Sequence, residues 1–268
     1  MKRREFLGAA AAAGLAVVGS NATHAAEQAA KQIIELRLYT FASEEKQKAF
    51  ADFVAKAMVP ALNRAGVTPV GVFQAIKGDL PKANLKADGT HLYLLLPHNS
   101  AESFVTLADK LAADEAYQKA APEILDAPRK DPAYAGCETS VMISFDALPK
   151  VEIPTKAPSR VMQLRMYQAH NDAKAYRKMQ MFSEGGEIKV FRDCGMPPVF
   201  GGRALAGAHF PNVTYMLGFE DEAAMGTGWG NFGKSPGWQK LGADATYKDT
   251  NPSLIINLVL KPAPSSQI

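Results

Sequence analysis

The chain is short of the residues that would make its chemistry obvious. Two cysteines, Cys137 and Cys194, in 268 residues cannot staple a fold. They sit far apart in sequence; a disulfide between them is geometrically open, and two isolated thiols in small core spaces is the simpler reading. Histidine is scarce as well, and His91, His98, His170 and His209 show no metal-ligand spacing, so no metal site is expected. His98 and His170 read as loop residues. His91 and His209 lie near the starts of strands, yet their offset of 118 misses the local register of 122. There is no Ser-His-Asp order, no nucleophile elbow and no cysteine beside a histidine, which excludes the common covalent hydrolases. No cluster of Lys and Arg interleaved with aromatics is present, so nucleic acid is not an expected partner.

What the chain does have begins with a leader. Lys2-Arg3-Arg4-Glu5-Phe6-Leu7 precedes an apolar run over 8–18 and small residues around Thr23-His24-Ala25. A basic head, a short greasy middle and a small-residue cleavage site predict an export signal over 1–25, of twin-arginine type. The run is too short to stay as a membrane span, so no stable span is expected after cleavage. The expected location is periplasmic or secreted. Of the formal net charge of +3, the leader carries +2, which leaves +1 on the mature chain. With 47% hydrophobic and 21% charged residues, the remainder is ordinary globular protein with enough apolar surface for a sizeable core.

The mature chain is organised around a stretch written twice, Glu35-Leu36-Arg37-Leu38-Tyr39 and Gln163-Leu164-Arg165-Met166-Tyr167. Both copies alternate polar and apolar with the period of a β-strand. Around the first copy the patterning predicts a strand over 33–39, a helix capped by Ser43, strands over 70–76 and 91–96, a helix over 102–121 and a strand over 139–145. A polar loop over 77–90 joins the second strand to the third. That order is β-α-β-β-α-β. A stiff linker over 148–159, with Pro149, Pro154 and Pro158, leads to a second run of strand 161–167, helix 172–192, and strands 199–204, 213–219 and 254–260. The predicted units are a first α+β repeat over 32–147 and a second over 160–262. Arg165 stands 128 after Arg37 and Tyr215 stands 122 after Tyr93. Where the second helix of the second repeat belongs, Gly226, Gly228, Gly230 and Gly233 cost about 3 to 4 kcal/mol of helix propensity against alanine. Either Trp229 and Phe232 hold that helix by burial or the segment is partly a loop. A phosphate-cradling loop is excluded, because the lysine and the preceding strand-turn order are missing.

Several stretches resemble the NIPSNAP family. They are the two Glu/Gln-Leu-Arg-Leu/Met-Tyr strands, Gly66-Val67-x-Pro69-Val70 echoed by Gly195-Met196-x-Pro198-Val199, and Trp229-x-x-Phe232-x-x-Ser235-Pro236-x-Trp238. Phe182-Ser183-Glu184-Gly185-Gly186-Glu187-Ile188 is similar to a subgroup of exported bacterial members. The resemblance covers both repeats and implies an α+β fold, two ferredoxin-like βαββαβ repeats forming a dimeric α+β barrel-type pseudo-dimer within one chain. It also implies likeness in fold to cofactor-independent antibiotic-biosynthesis monooxygenases, in a family whose own role is largely unassigned. A histidine expected before the helix-ending glycine is Ala65 in one copy and Cys194 in the other, so any role carried by it is absent. Haem-bearing relatives of the barrel exist, but nothing nominates an axial ligand, and no cofactor is expected.

In such a barrel the apolar parity, Leu36 and Leu164 among it, is expected under the helices. Glu35, Arg37, Tyr39, Gln163, Arg165 and Tyr167 are then expected to face the lumen between the sheets, with Tyr93 and Tyr215 on its wall. Buried charges must pair, be hydrated or meet a ligand, which makes these eight residues the candidate ligand-binding set. On one reading Arg37 and Arg165 anchor a carboxylate or enolate oxygen while a tyrosine shapes the wall or donates a proton. On the other, Glu35 and Arg37 form a structural salt bridge and the tyrosines are amphipathic core. Three functions follow: a binder of a small organic molecule, an anion if the arginines hold it; a cofactor-free monooxygenase- or isomerase-like enzyme; or a structural module with a filled barrel. Oligomerisation is left open.

Overall fold

The computed structural model describes residues 30–76 and 90–268. The expected leader and residues 77–89 of the expected polar loop lie outside them.

Eight strands close into one antiparallel barrel: β1 (Ile33–Thr40), β2 (Gly71–Ala75), β3 (His91–His98), β4 (Gly136–Ser144), β5 (Val161–Gln168), β6 (Pro198–Ala206), β7 (Asn212–Phe219) and β8 (Leu254–Pro262). Their order around the barrel is β1-β3-β2-β8-β5-β7-β6-β4. Each half of the chain supplies four strands. The halves join where β2 meets β8 and where β4 meets β6, the latter through a bulge at Val141/Met142.

Helices cover the outside. In the first half they are α1 (Glu44–Phe53), which continues through a π-turn (Val54–Met58) into α2 (Val59–Arg64), then α3 (Ala101–Val105), α4 (Leu107–Ala113), α5 (Glu115–Ala120) and α6 (Pro122–Leu125). Ser43 caps α1 as expected, its hydroxyl accepting from the Lys46 N–H. The expected helix over 102–121 is broken at Thr106 and again at Asp114, which leaves the helical path to cap α5 through the Tyr117 N–H. In the second half stand α7 (Asp172–Ser183), α8 (Glu187–Asp193), α9 (Glu222–Lys234) and α10 (Pro236–Ala243). The expected helix over 172–192 turns at Gly186, whose φ of +84° is a left-handed conformation that glycine adopts without strain. The glycine-rich segment is helical from end to end. Phe232 is buried, and Gly228 lies so close to Met196 that an added Cβ would sit 2.7 Å from its Cγ.

Three apolar clusters hold these layers. The one inside the barrel includes Ile34, Leu36, Phe73, Leu95, Met142, Met162, Leu164, Met216 and Leu258. Burying side chains of this size contributes about 1.5–3 kcal/mol each. The other two lie between barrel and helices, one per repeat. The apolar parity of β1 and β5 therefore faces the barrel interior, and the polar parity lies under the helices. This reverses the orientation expected from the sequence. The interior of an eight-stranded barrel is just wide enough for side chains or one small ligand, and here the leucines and methionines fill all but a small cavity of about 70 Å³.

Candidate functional site

The six polar residues of the repeated strand are brought together as two separate groups of three, each between its own sheet and helices. In the first repeat Arg37 Nε donates to Glu35 Oε1 over 2.6 Å, and Arg37 Nη1 lies 3.5 Å from the Tyr39 hydroxyl. The second Glu35 oxygen accepts from His98 Nε2 over 3.0 Å, while Ser103 Oγ on α3 stands 3.2 Å from His98 Nδ1. Burial by itself would raise the Glu35 carboxyl. The bonds from His98 and Arg37 outweigh it and hold the group below the ordinary carboxylate value. Phe50 and Tyr134 close over Tyr39, with ring centroids 4.7 and 5.2 Å away. Within this group the Arg37 cation is paired with the Glu35 carboxylate.

His98 is thus no loop residue. It ends β3, fully buried, and is a partner of Glu35 that the strand pattern alone does not reveal.

In the second repeat the residue at the position of Glu35 is Gln163, and the arrangement is different. The Gln163 amide is engaged by other partners: its oxygen accepts from Trp229 Nε1 over 2.6 Å and its nitrogen donates to Asn257 Oδ1 over 2.8 Å. Arg165 Nε donates to the Tyr167 hydroxyl over 3.1 Å, and Tyr167 shares a 2.8 Å hydrogen bond with Tyr215. The Arg165 guanidinium carbon lies 4.8 Å from the centroid of the Trp229 ring, a cation–π contact. Among the described residues no carboxylate forms an ion pair with Arg165.

These side chains open onto a pocket of about 270 Å³ bounded by β5, β7, the helices α7 to α10 and the segment 250–252 before β8. Lys178 on α7 and Glu187 at the start of α8 pair across 3.0 Å on its wall. Burial raises the Glu187 carboxyl above its ordinary value, against the pull of Lys178 and, more weakly and without an ion-pair contact, of Arg165. Burial likewise pushes the Tyr215 phenol well up, so it stands protonated in the ordinary pH range. Phe191, Trp229, Phe232 and Trp238 supply aromatic wall. Both tryptophans of the chain therefore line this one pocket. The charges on its wall are Arg165 and Lys178 against Glu187, a net of one positive charge.

Tyr93 belongs elsewhere. Strand pairing sets Tyr93 beside Leu38 and Tyr215 beside Arg165, so the register between repeats is 121 and the residue equivalent to Tyr215 is Leu94. Reading the offset as 122 slips the strand by one residue and turns a side chain to the opposite face. Tyr93 lines a small cavity of about 70 Å³ inside the barrel, with Leu38, Met166 and Glu138.

Lys178 and Glu187 are not singled out by the sequence reading. Their signal is a lysine inside the apolar stripe of α7, among Ala175, Met179 and Phe182, with a glutamate one short helix further on. Cys137 and Cys194 are both free thiols, exposed and buried respectively. Among the described residues no group of three or more His, Cys, Asp or Glu is placed to hold a metal ion, and no helix is long and apolar enough to cross a membrane.

No protein-family profile matches the chain, and no curated protein matches its sequence. Solved structures do share its shape. A candidate monooxygenase from Lactobacillus acidophilus covers 87% of this chain and 94% of its own, at 12% identity and a TM-score of 0.54. A candidate monooxygenase from Fusobacterium nucleatum covers 87% and 93%, at 9% identity and a TM-score of 0.55. A NIPSNAP-like domain protein from Burkholderia xenovorans matches 40% of the chain and 87% of its own, at 18% identity and a TM-score of 0.35, too slight a likeness to carry an argument. At such identities the likeness establishes architecture and no activity: the chain has the dimeric α+β barrel fold, with both halves in one polypeptide.

Proposed function

We propose that the chain is an exported, NIPSNAP-like protein that binds a small organic anion in the pocket of its second repeat. The observation that supports this most is the half-buried Arg165, which stays charged at any ordinary pH and forms no ion pair with a carboxylate among the described residues, on a pocket wall with one net positive charge. A cation partly withdrawn from water without an ion-pair partner carries a desolvation cost, and an anionic ligand offsets it. The four aromatic rings and the Tyr167–Tyr215 hydroxyls suit an apolar body with an oxygen-bearing head.

The test uses the placement of the tryptophans. Benzoate added to the native protein should change tryptophan emission saturably. Arg165→Met should weaken that response about ten-fold or more, the worth of one charge-assisted hydrogen bond. A response of equal affinity in Arg165→Met removes the arginine from the site. Export is tested by fractionating cells that carry either the native chain or the double variant Arg3→Lys, Arg4→Lys. Retention of the double variant inside the cell is the expected result, and equal export of both forms would contradict a twin-arginine signal.

One observation favours a second, catalytic reading. The hydrogen-bonded phenols of Tyr167 and Tyr215 stand beside a cation able to stabilise an enolate, which is the equipment of a cofactor-free oxygenase or isomerase. Native mass spectrometry of purified protein would identify a retained ligand. Conversion of that ligand, lost in Tyr167→Phe while binding persists, is the result this reading requires.

A further inference from the structure

The repeated strand supplies an internal comparison. Arg37 and Arg165, Tyr39 and Tyr167, Glu35 and Gln163 are equivalent at one offset. The cross-strand register makes Phe219 the equivalent of His98. The repeats therefore differ by a linked exchange: a carboxylate with an imidazole in the first, a carboxamide with a phenyl ring in the second. In the first, Glu35 places an oxygen 2.6 Å from Arg37 Nε and the cation is neutralised from within. In the second, the Gln163 amide is held by Trp229 and Asn257 and brings no charge, so Arg165 turns its guanidinium to the Trp229 ring and the Tyr167 hydroxyl.

Resting on the anion-binding reading above, we infer that the ligand is an aromatic monocarboxylate whose head takes at Arg165 the role that Glu35 plays at Arg37. Gln163 is the positioning residue that leaves that role to a ligand. The carboxylate follows from the first repeat, which shows the anion this arginine accepts when the chain provides it. The single charge follows from the wall: one carboxylate neutralises it, whereas a second would meet Glu187 without a cation to spare. The ring follows from Phe191, Trp229 and Trp238, and a pocket of about 270 Å³ suits one ring better than a fused system. Gln163 itself is bonded to protein at both ends of its amide and does not line the pocket.

The experiment titrates the full chain with benzoate, benzamide and phthalate, read by tryptophan emission, in the native protein and in Gln163→Glu, Gln163→Ala and Arg165→Met. Native protein should prefer benzoate to benzamide and to phthalate by at least about ten-fold. Gln163→Glu should supply Arg165 with an internal carboxylate and lose benzoate by a similar factor, while its weak affinity for uncharged benzamide stays where it was. Gln163→Ala, which removes the amide without adding charge, should keep its preference for benzoate; a merely structural role would impair it as much as Gln163→Glu does. Benzoate binding that depends on Arg165 but persists undiminished in Gln163→Glu overturns this inference and leaves the pocket reading intact, whereas equal affinity for benzoate and benzamide overturns both. Should Gln163→Glu fail to fold by circular dichroism, the benzoate-to-phthalate ratio in native protein decides: equal affinity for the two overturns the monocarboxylate inference and leaves the pocket reading intact. Failure of native protein to bind any of the three probes overturns the pocket reading itself.

Discussion

The indole N–H of Trp229 donates to the side-chain carbonyl of Gln163 across 2.6 Å, tying α9 to β5 beneath the pocket. Removing the donor while keeping an aromatic ring leaves a buried carbonyl without its partner. Trp229→Phe should therefore destabilise the protein by about 1–3 kcal/mol. Urea unfolding followed by circular dichroism measures this, and a loss within about 0.5 kcal/mol, the range of an uninvolved surface change, would show that the bond carries little.

The glycines of α9 should not respond alike to alanine. Gly226 and Gly230 have open space where a Cβ would go, so Gly226→Ala and Gly230→Ala should each stabilise the helix by up to about 1 kcal/mol. Gly228 faces buried Met196 and needs the close approach, so Gly228→Ala should be destabilising. Thermal melts of the three variants give the order directly; a gain at Gly228 would mean that α9 does not lie against Met196.

Glu35 should make the fold acid-sensitive. Burial raises its carboxyl, but His98 and Arg37 more than offset that, so its pKa in the folded state lies below the ordinary 4.5. A group lowered on folding contributes stability that is fully present above the unfolded value and is lost as pH falls through the folded one. Native protein should keep this contribution from neutrality down to about pH 5, then lose it on further acidification by up to about 1.4 kcal/mol per pH unit. In Glu35→Gln that component is missing, so the acid limb should be shallower. Urea midpoints collected from about pH 6 to about pH 3 decide, and parallel limbs for the two proteins would contradict the assignment.

Much of the architecture is legible in the sequence, because strand alternation and helical stripes are local patterns. The two copies of the first strand, the Ser43 cap and the βαββαβ order need no tertiary information. Which parity faces which layer is not local. In this fold both faces of β1 and β5 are covered, and the alternation of Leu36 with Arg37 is the same whichever way it points. The deciding facts are the narrowness of the closed barrel and the partners on the helices, Lys178, Glu187 and Trp229, which no reading of the strand alone contains. Tyr93 does line the barrel interior as expected; a register slip of one residue pairs it wrongly with Tyr215, whose side chain lies on the opposite face.

The central claim is that Arg37 is neutralised inside the protein and Arg165 is not, and paired methionine replacements test it without knowledge of any ligand. Arg37→Met strands the buried carboxylate of Glu35 with His98 alone and should cost about 3 kcal/mol or more of unfolding free energy. Arg165→Met removes a half-buried cation that forms no ion pair with a carboxylate and should cost less than about 1 kcal/mol, or raise stability. Urea unfolding of the two ligand-free variants beside native protein is the measurement. Equal losses, or a larger loss for Arg165→Met, would contradict the account.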